Sequence, residues 1–243
     1  GDQMQLSQPI QGIHSGNSGK SSLDYLLGDY DTIPLSRGIF LDVTRRLNEK
    51  ICDYISSSFY ESRLKSHPVT KDRSVSLELK EIKDEGIFYL PVDHQECTQK
   101  SDSEAKIIKG YCSKILGKNY TEDNKKKKMS IENIMMIAPF NMQVNNLKKI
   151  LNQKEARIGT IDKFQGQESK VVFISMTSSD PENLPRHKEF FFSRNRLNVA
   201  ISRAQCVAVI LFNPNLLLAD CKKINEVRLI NNFCKLLRYQ III

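Results

Sequence analysis

Apolar residues along this chain fall into two kinds of run. The unbroken ones, VVFISM at 171–176 and CVAVILF at 206–212, are too short to cross a bilayer and too continuous for a half-exposed strand. They predict central parallel strands covered on both faces. GIFYLPV (86–92) and IMMIA (134–138) predict two more buried strands, and IFLDV (39–43) a further strand-like segment. Elsewhere the period lengthens. Leu47, Ile51, Ile55 and Phe59 recur every four residues; Ile108, Tyr111, Cys112 and Ile115, then Phe140, Val144, Leu147 and Leu151, mark one side of two more helices. Ser101 and Glu104 supply a capping box for the helix expected over 101–116. A short helix is expected around Leu23 to Leu27, and a last one that packs Ile224, Val227, Ile230, Cys234 and Leu237 on the sheet. This alternation predicts an α/β fold, a mostly parallel sheet flanked by helices. The charged 65–85 segment and GKNYTEDNKKKKMS (117–130) read as loops.

The polar residues at the strand ends change the picture. Thr160, Asp162, Gln165, Gly166 and Glu168 lead into VVFISM, and Arg196, Asn198 and Arg203 lead into CVAVILF. A simple connection does not need that density of hydrogen-bonding groups, and ligands of open α/β sheets sit at strand-end loops. Arg45 and Arg46 stand where IFLDV hands over to its helix. Adjacent arginines are commonly surface charge, but a guanidinium fork also matches phosphate oxygens. Gly19-Lys20-Ser21 imitates the end of a P-loop, yet His14 occupies the first glycine position and no apolar strand leads in, so a flexible Gly/Ser loop is the better reading.

Composition narrows the function classes. The 243 residues, 40% hydrophobic, can bury a sizeable core. A net charge of +8 and a pI near 9.1 suit a nucleic-acid partner through counterion release, although solubility alone also accounts for them and much of the excess lies in Lys125 to Lys128. No run is long enough for a membrane span, and the first residues lack the pattern of a signal peptide. The six cysteines show neither CxxC nor paired Cys/His spacing, which favours reduced thiols in a cytoplasmic protein with no metal site. With no Met at position 1, a piece of a longer protein is expected; the closing Ile-Ile-Ile is expected to be buried or to mark a cut.

Arg157 to Ser178 and Asn195 to Phe212 resemble motifs V and VI of superfamily 1 helicases, in the 5′-to-3′ group that includes the nonsense-decay helicase and RecB-like nuclease fusions. GDQMQL (1–6) is similar to motif III, DVTRRLNEKI (42–51) to motif IV, and IAPFNMQVNNLKKIL (137–151) to the (T/A)P(Y/F)xxQ segment. The resemblance implies a RecA-like second motor domain over 35–243, with 1–34 the tail of the first such domain and a linker. That first domain, with a fused nuclease in some members, would hold most of the ATP and Mg2+. The track would be single-stranded nucleic acid, DNA first. By the resemblance Arg203 is an arginine finger, Arg46 touches the γ-phosphate, Gln5 senses it, Glu168 accepts a ribose hydroxyl, and Gly166 leaves room for the nucleotide. Thr160, Pro139 and Gln143 match positions facing the nucleic-acid backbone. Arg45 stands where the family commonly has a base-stacking aromatic, and Asn48-Glu49 replace its His-Pro, so Arg45 would meet the base through its guanidinium plane. Bland readings remain beside these: Arg203 capping its own helix, Pro139 starting one, Gln143 on a solvated face. The function implied is the C-terminal half of an ATP-driven helicase, inactive alone. The alternative is a non-catalytic nucleic-acid-binding module on a degenerate helicase fold; a free-standing P-loop kinase fails at His14.

Overall fold

Val, Ile and Phe dominate the unbroken runs, and these form the middle of the sheet in the computed structural model, which describes residues 1–6, 12, 15–28, 30–238 and 240–241. The strands are β1 (Val43–Thr44), β2 (Lys65–Ser66), β3 (Ser74–Ser76), β4 (Gly86–Pro91), β5 (Asn119–Glu122), β6 (Lys125–Lys128), β7 (Ile134–Ile137), β8 (Arg157–Gly159), β9 (Ser169–Ser175), β10 (Ala204–Phe212) and β11 (Gln240–Ile241). The helices are α1 (Ser22–Leu27), α2 (Glu49–Phe59), α3 (Asp102–Ile115), α4 (Asn141–Leu151), α5 (Lys188–Phe191), α6 (Arg194–Ile201) and α7 (Ile224–Cys234). The main sheet runs β11-β4-β10-β9-β7-β8, and every pairing in it is parallel. This is the expected α/β architecture.

Each face of the sheet has its own core because alternate side chains point to opposite sides. Val172, Ile174, Ala208, Ile210 and Phe212 pack with Ile51, Ile55 and Phe59 of α2, with Leu197 of α6 and with Phe233 of α7. Val171, Phe173, Val207, Val209 and Leu211 pack with Ile108 and Cys112 of α3 and with Val144 and Leu147 of α4. Fully burying one such side chain stabilises the fold by about 1.5–3 kcal/mol. Phe140, Val144, Leu147 and Leu151 are all buried, as their spacing demands.

Several expectations need correction. IFLDV does not join the sheet: only Val43–Thr44 forms a strand, paired with Lys65–Ser66, while Ile39 is 86% and Leu41 84% exposed. Its alternation is genuine but inverted, with Phe40 turned inward toward Tyr60, ring centroids 6.0 Å apart. The 65–85 segment is no excursion, since β3 pairs antiparallel with β5, and Val75, Leu77 and Ile82 are buried in the second core. The lysine block is the edge strand β6 of that small sheet, closed by an Asp123–Asn124 turn with both residues at positive φ. Charge on an exposed edge strand discourages further pairing. In α7 the buried residues are Ile230 and Phe233; Ile224 is 74% exposed and Val227 also faces solvent. Phe233 decides this, because its ring lies 4.7 Å from Phe212 and 5.4 Å from Phe192. His14, Ile242 and Ile243 lie outside the described residues.

Candidate functional site

Parallel pairing puts the starts of β9 and β10 side by side, with Ala204 opposite Ser169. Glu168 and Arg203, each one residue upstream, therefore meet at the amino edge of the sheet. A register break between Ala204 and Val207 turns carbonyls of this segment outward. Asn48 uses them: its N–H donates to the Gln205 carbonyl (3.2 Å) and its Nδ2 to the Cys206 carbonyl (2.7 Å). Its Oδ1 meanwhile caps α2 at the Ile51 N–H. Asn48 thus pins α2, and Arg46 with it, to β10.

Arg46 Nε donates to Glu168 Oε2 at 2.6 Å, and Gln205 Nε2 to Glu168 Oε1 at 2.6 Å. Arg203 is 2% exposed. It donates through Nε to the Val199 carbonyl (3.1 Å) and through Nη1 to the Gln167 carbonyl (3.1 Å), so it does cap its own helix. Burial first, and the neighbouring Arg46 second, push its pKa down to about 10. A buried guanidinium hydrogen-bonded only to neutral acceptors, with Glu168 nearby but not in direct contact, is under-compensated. Residues 1–6 complete the wall. Asn195 Nδ2 donates to the Gln3 and Gln5 carbonyls (2.8 and 2.6 Å), and Asn198 Nδ2 to the Met4 carbonyl (2.7 Å). Tyr60 Oη and Gln5 Nε2 both donate to Asp2 Oδ2, at 2.7 and 2.8 Å. The resulting cleft of about 810 Å³ is lined by Gln5, Arg45, Arg46, Arg73, Glu168 and Arg203 among others. Asn198 Oδ1, on the same wall, is buried without a hydrogen-bond partner. A cleft where the guanidinium groups of Arg45, Arg46, Arg73 and Arg203 outnumber the carboxylates of Asp2 and Glu168, with an orphaned polar atom beside them, fits a polyanionic nucleotide. Gly166 sits at φ +79° in open space, so the turn before Glu168 calls for glycine and nothing crowds the approach.

The second set of residues lies on the opposite edge. Pro139 follows β7 and Thr160 follows β8, both at carboxyl ends. They line a groove of about 390 Å³ with Asp162, Arg186, Phe190 and Arg196. Gln143 does not join them. It is fully buried, donating to Ser175 Oγ (2.9 Å) and the Ser101 carbonyl (3.0 Å) and accepting from the Ser101 N–H (2.9 Å). This corrects both readings of Gln143, the backbone contact and the solvated face: it services the start of α3. The capping box is half replaced in consequence. Ser101 accepts from the Glu104 N–H, but the buried Glu104 carboxylate turns to the Thr177 N–H (3.1 Å), His94 Nε2 (3.0 Å) and Ser175 Oγ.

The structure thus gathers Gln5, Arg45, Arg46, Gly166, Glu168 and Arg203 around the amino edge, and Pro139 with Thr160 across the sheet. Sequence reasoning missed Asn195, Tyr60, Arg73, Gln205, Arg186 and Phe190, whose roles depend on long-range contacts, and saw in Asn48 only a departure from the resembled motif. Asn198 and Arg196 stood out there only as polar density. Gly19-Lys20-Ser21 forms no phosphate cradle with a strand; Ser21 caps α1. Among the described residues no group of three His, Cys, Asp or Glu side chains could hold a metal, and no helix is long and apolar enough to cross a membrane.

A family model described as an AAA domain matches residues 24–215. The chain is 28% identical over 227 residues to the DNA polymerase alpha-associated DNA helicase A of Schizosaccharomyces pombe, covering 84% of this chain and 31% of that protein. It is 31% identical over 126 residues to the RNA helicase Mov10l1 of Mus musculus, covering 49% of this chain and 10% of that protein. The solved C-terminal domain of a possible DNA helicase from Lactobacillus plantarum aligns at 14% identity with a TM-score of 0.37, covering 71% of this chain and 92% of that one. The chain spans less than a third of the length of these two curated relatives.

Proposed function

The chain belongs to the AAA-domain family, and we propose that it is the second, RecA-like motor domain of an ATP-dependent helicase or translocase. Its track would be single-stranded nucleic acid. DNA is placed first because the longer match, over 84% of the chain, is to a protein named a DNA helicase. The reading rests above all on the amino edge, where Arg46, Arg203, Gln5 and Glu168, far apart in sequence, converge on one cleft whose buried guanidinium makes no direct ion pair among the described residues. Residues 1–34 would be the tail of a preceding domain and its linker.

When bound, ATP would supply the driving force and Mg2+ would offset phosphate charge, the P-loop and the metal's ligands belonging to that preceding domain. Within this chain, Glu168 exchanges Arg46 for a ribose hydroxyl and Arg46 turns to the γ-phosphate. Arg203 supplies charge at the transferring phosphoryl group, a contribution worth roughly 10³ to 10⁵ in rate. The stretch from Thr160 to Glu168 joins groove to cleft, so a shift on one edge reaches the other through a single short segment. Half a site cannot turn over: the chain alone should show no strand-stimulated ATPase, and robust hydrolysis by it would overturn the reading.

A further inference from the structure

We propose that Arg186, Phe190 and Arg196 form a subsite that holds one nucleotide of the single strand, its base stacked on the Arg186 guanidinium, beside Pro139 and Thr160. The inference rests on reading that groove as the track. Both guanidinium carbons lie over the Phe190 ring, Arg186 at 4.4 Å and Arg196 at 4.3 Å from its centroid. Two cations on one ring repel each other, and the arrangement is compensated on one side only. Arg196 donates to both oxygens of Asp162, at 3.2 and 3.4 Å. Arg186 is exposed and has no ion pair among the described residues. Phe190 is itself half-buried against Phe140, ring centroids 6.2 Å apart, so the platform is anchored to the core. What the groove presents is therefore a planar, weakly hydrated cation held over an aromatic ring, with no ion pair among the described residues. That surface suits a nucleobase, which has a π face to stack, together with the phosphate beside it.

The test measures binding of this chain to a fluorescent oligonucleotide, at fixed salt, with normal and abasic versions of the strand. Arg186 is exposed, so its variants should fold normally. Arg186→Ala is expected to weaken binding to the normal strand roughly 5- to 100-fold. Arg186→Lys, which keeps the charge and loses the plane, should stay within about threefold of the alanine variant. On the abasic strand the loss should shrink to about twofold, the charge alone. Wild-type affinity in Arg186→Lys, or equal loss on both strands, would overturn the stacking subsite. Thr160→Glu, which puts a negative charge in the groove, separates the two levels. If it weakens binding while both Arg186 variants bind normally, the subsite is wrong and the groove is right; if none of the three has any effect, the groove reading fails and the subsite falls with it.

Discussion

At the amino edge of the sheet, polar side chains are held by other polar side chains from distant parts of the chain. Glu168 holds Arg46, Gln205 holds Glu168, and Asn195 and Asn198 hold the backbone carbonyls of residues 3–5. At the carboxyl edge the equivalent groups, Glu104, His94 and Gln143, are spent inside the protein, bracing the start of α3 and the end of β9. The surface left there is a smaller groove, about 390 Å³, lined by Pro139, Thr160, Arg186 and Phe190 among others. A fixed array of cations suits charge that develops at one point in a reaction. A small, partly aromatic groove suits a ligand that must slide. Damage to the first edge should therefore appear in rate, and damage to the second in affinity.

The sharpest separation should come from Arg46→Ala in the full protein: about a 10³-fold loss of ATP turnover with strand affinity unchanged, measured by steady-state ATPase beside an anisotropy titration. An equal loss of strand affinity would merge the two edges. A smaller effect is expected where the amino edge is braced from outside. Glu122 pairs with the buried Lys170 of β9 and with Lys127, and these hold its carboxyl down to about 2 from the usual 4.5. Its folded-state pKa is depressed, so its stabilisation is complete above 4.5 and fades as the pH falls toward 2. Glu122→Gln should cost about 2 kcal/mol at neutral pH by leaving Lys170 unpaired, and should flatten that acid window in thermal melts. A melt profile like wild type would remove the brace from the picture. Smallest of all, Thr160→Ala should weaken strand binding about fivefold, the worth of one hydrogen bond, and leave nucleotide affinity alone. Weaker nucleotide binding in that variant would show that the edges are not separable.

How much of this could be read beforehand depended on how local the signal was. The buried strands and the α2, α3 and α4 faces were legible because apolar period is a property of neighbouring residues. IFLDV misled because alternation does not say which face is buried; Phe40 found the core and Ile39 and Leu41 did not. The β5–β6 hairpin had a local signal that went unread, an Asp-Asn pair suited to a tight turn. Gln143 could not have been read at all, since its position is set by the backbone of Ser101, distant in sequence. The same holds for Asn48 and Gln205, which only a register break in β10 brings into play.

The proposed division of labour between the edges rests finally on Arg203, buried and hydrogen-bonded only to neutral acceptors. The decisive measurement is single-turnover ATP hydrolysis by the full protein carrying Arg203→Lys, saturated with nucleotide and strand, alongside its melting temperature and strand affinity. The expected result is a loss of about 10³-fold or more in the chemical step, with the fold and strand affinity retained. Hydrolysis within a few-fold of wild type would contradict it, leaving Arg203 as no more than the cap of its own helix.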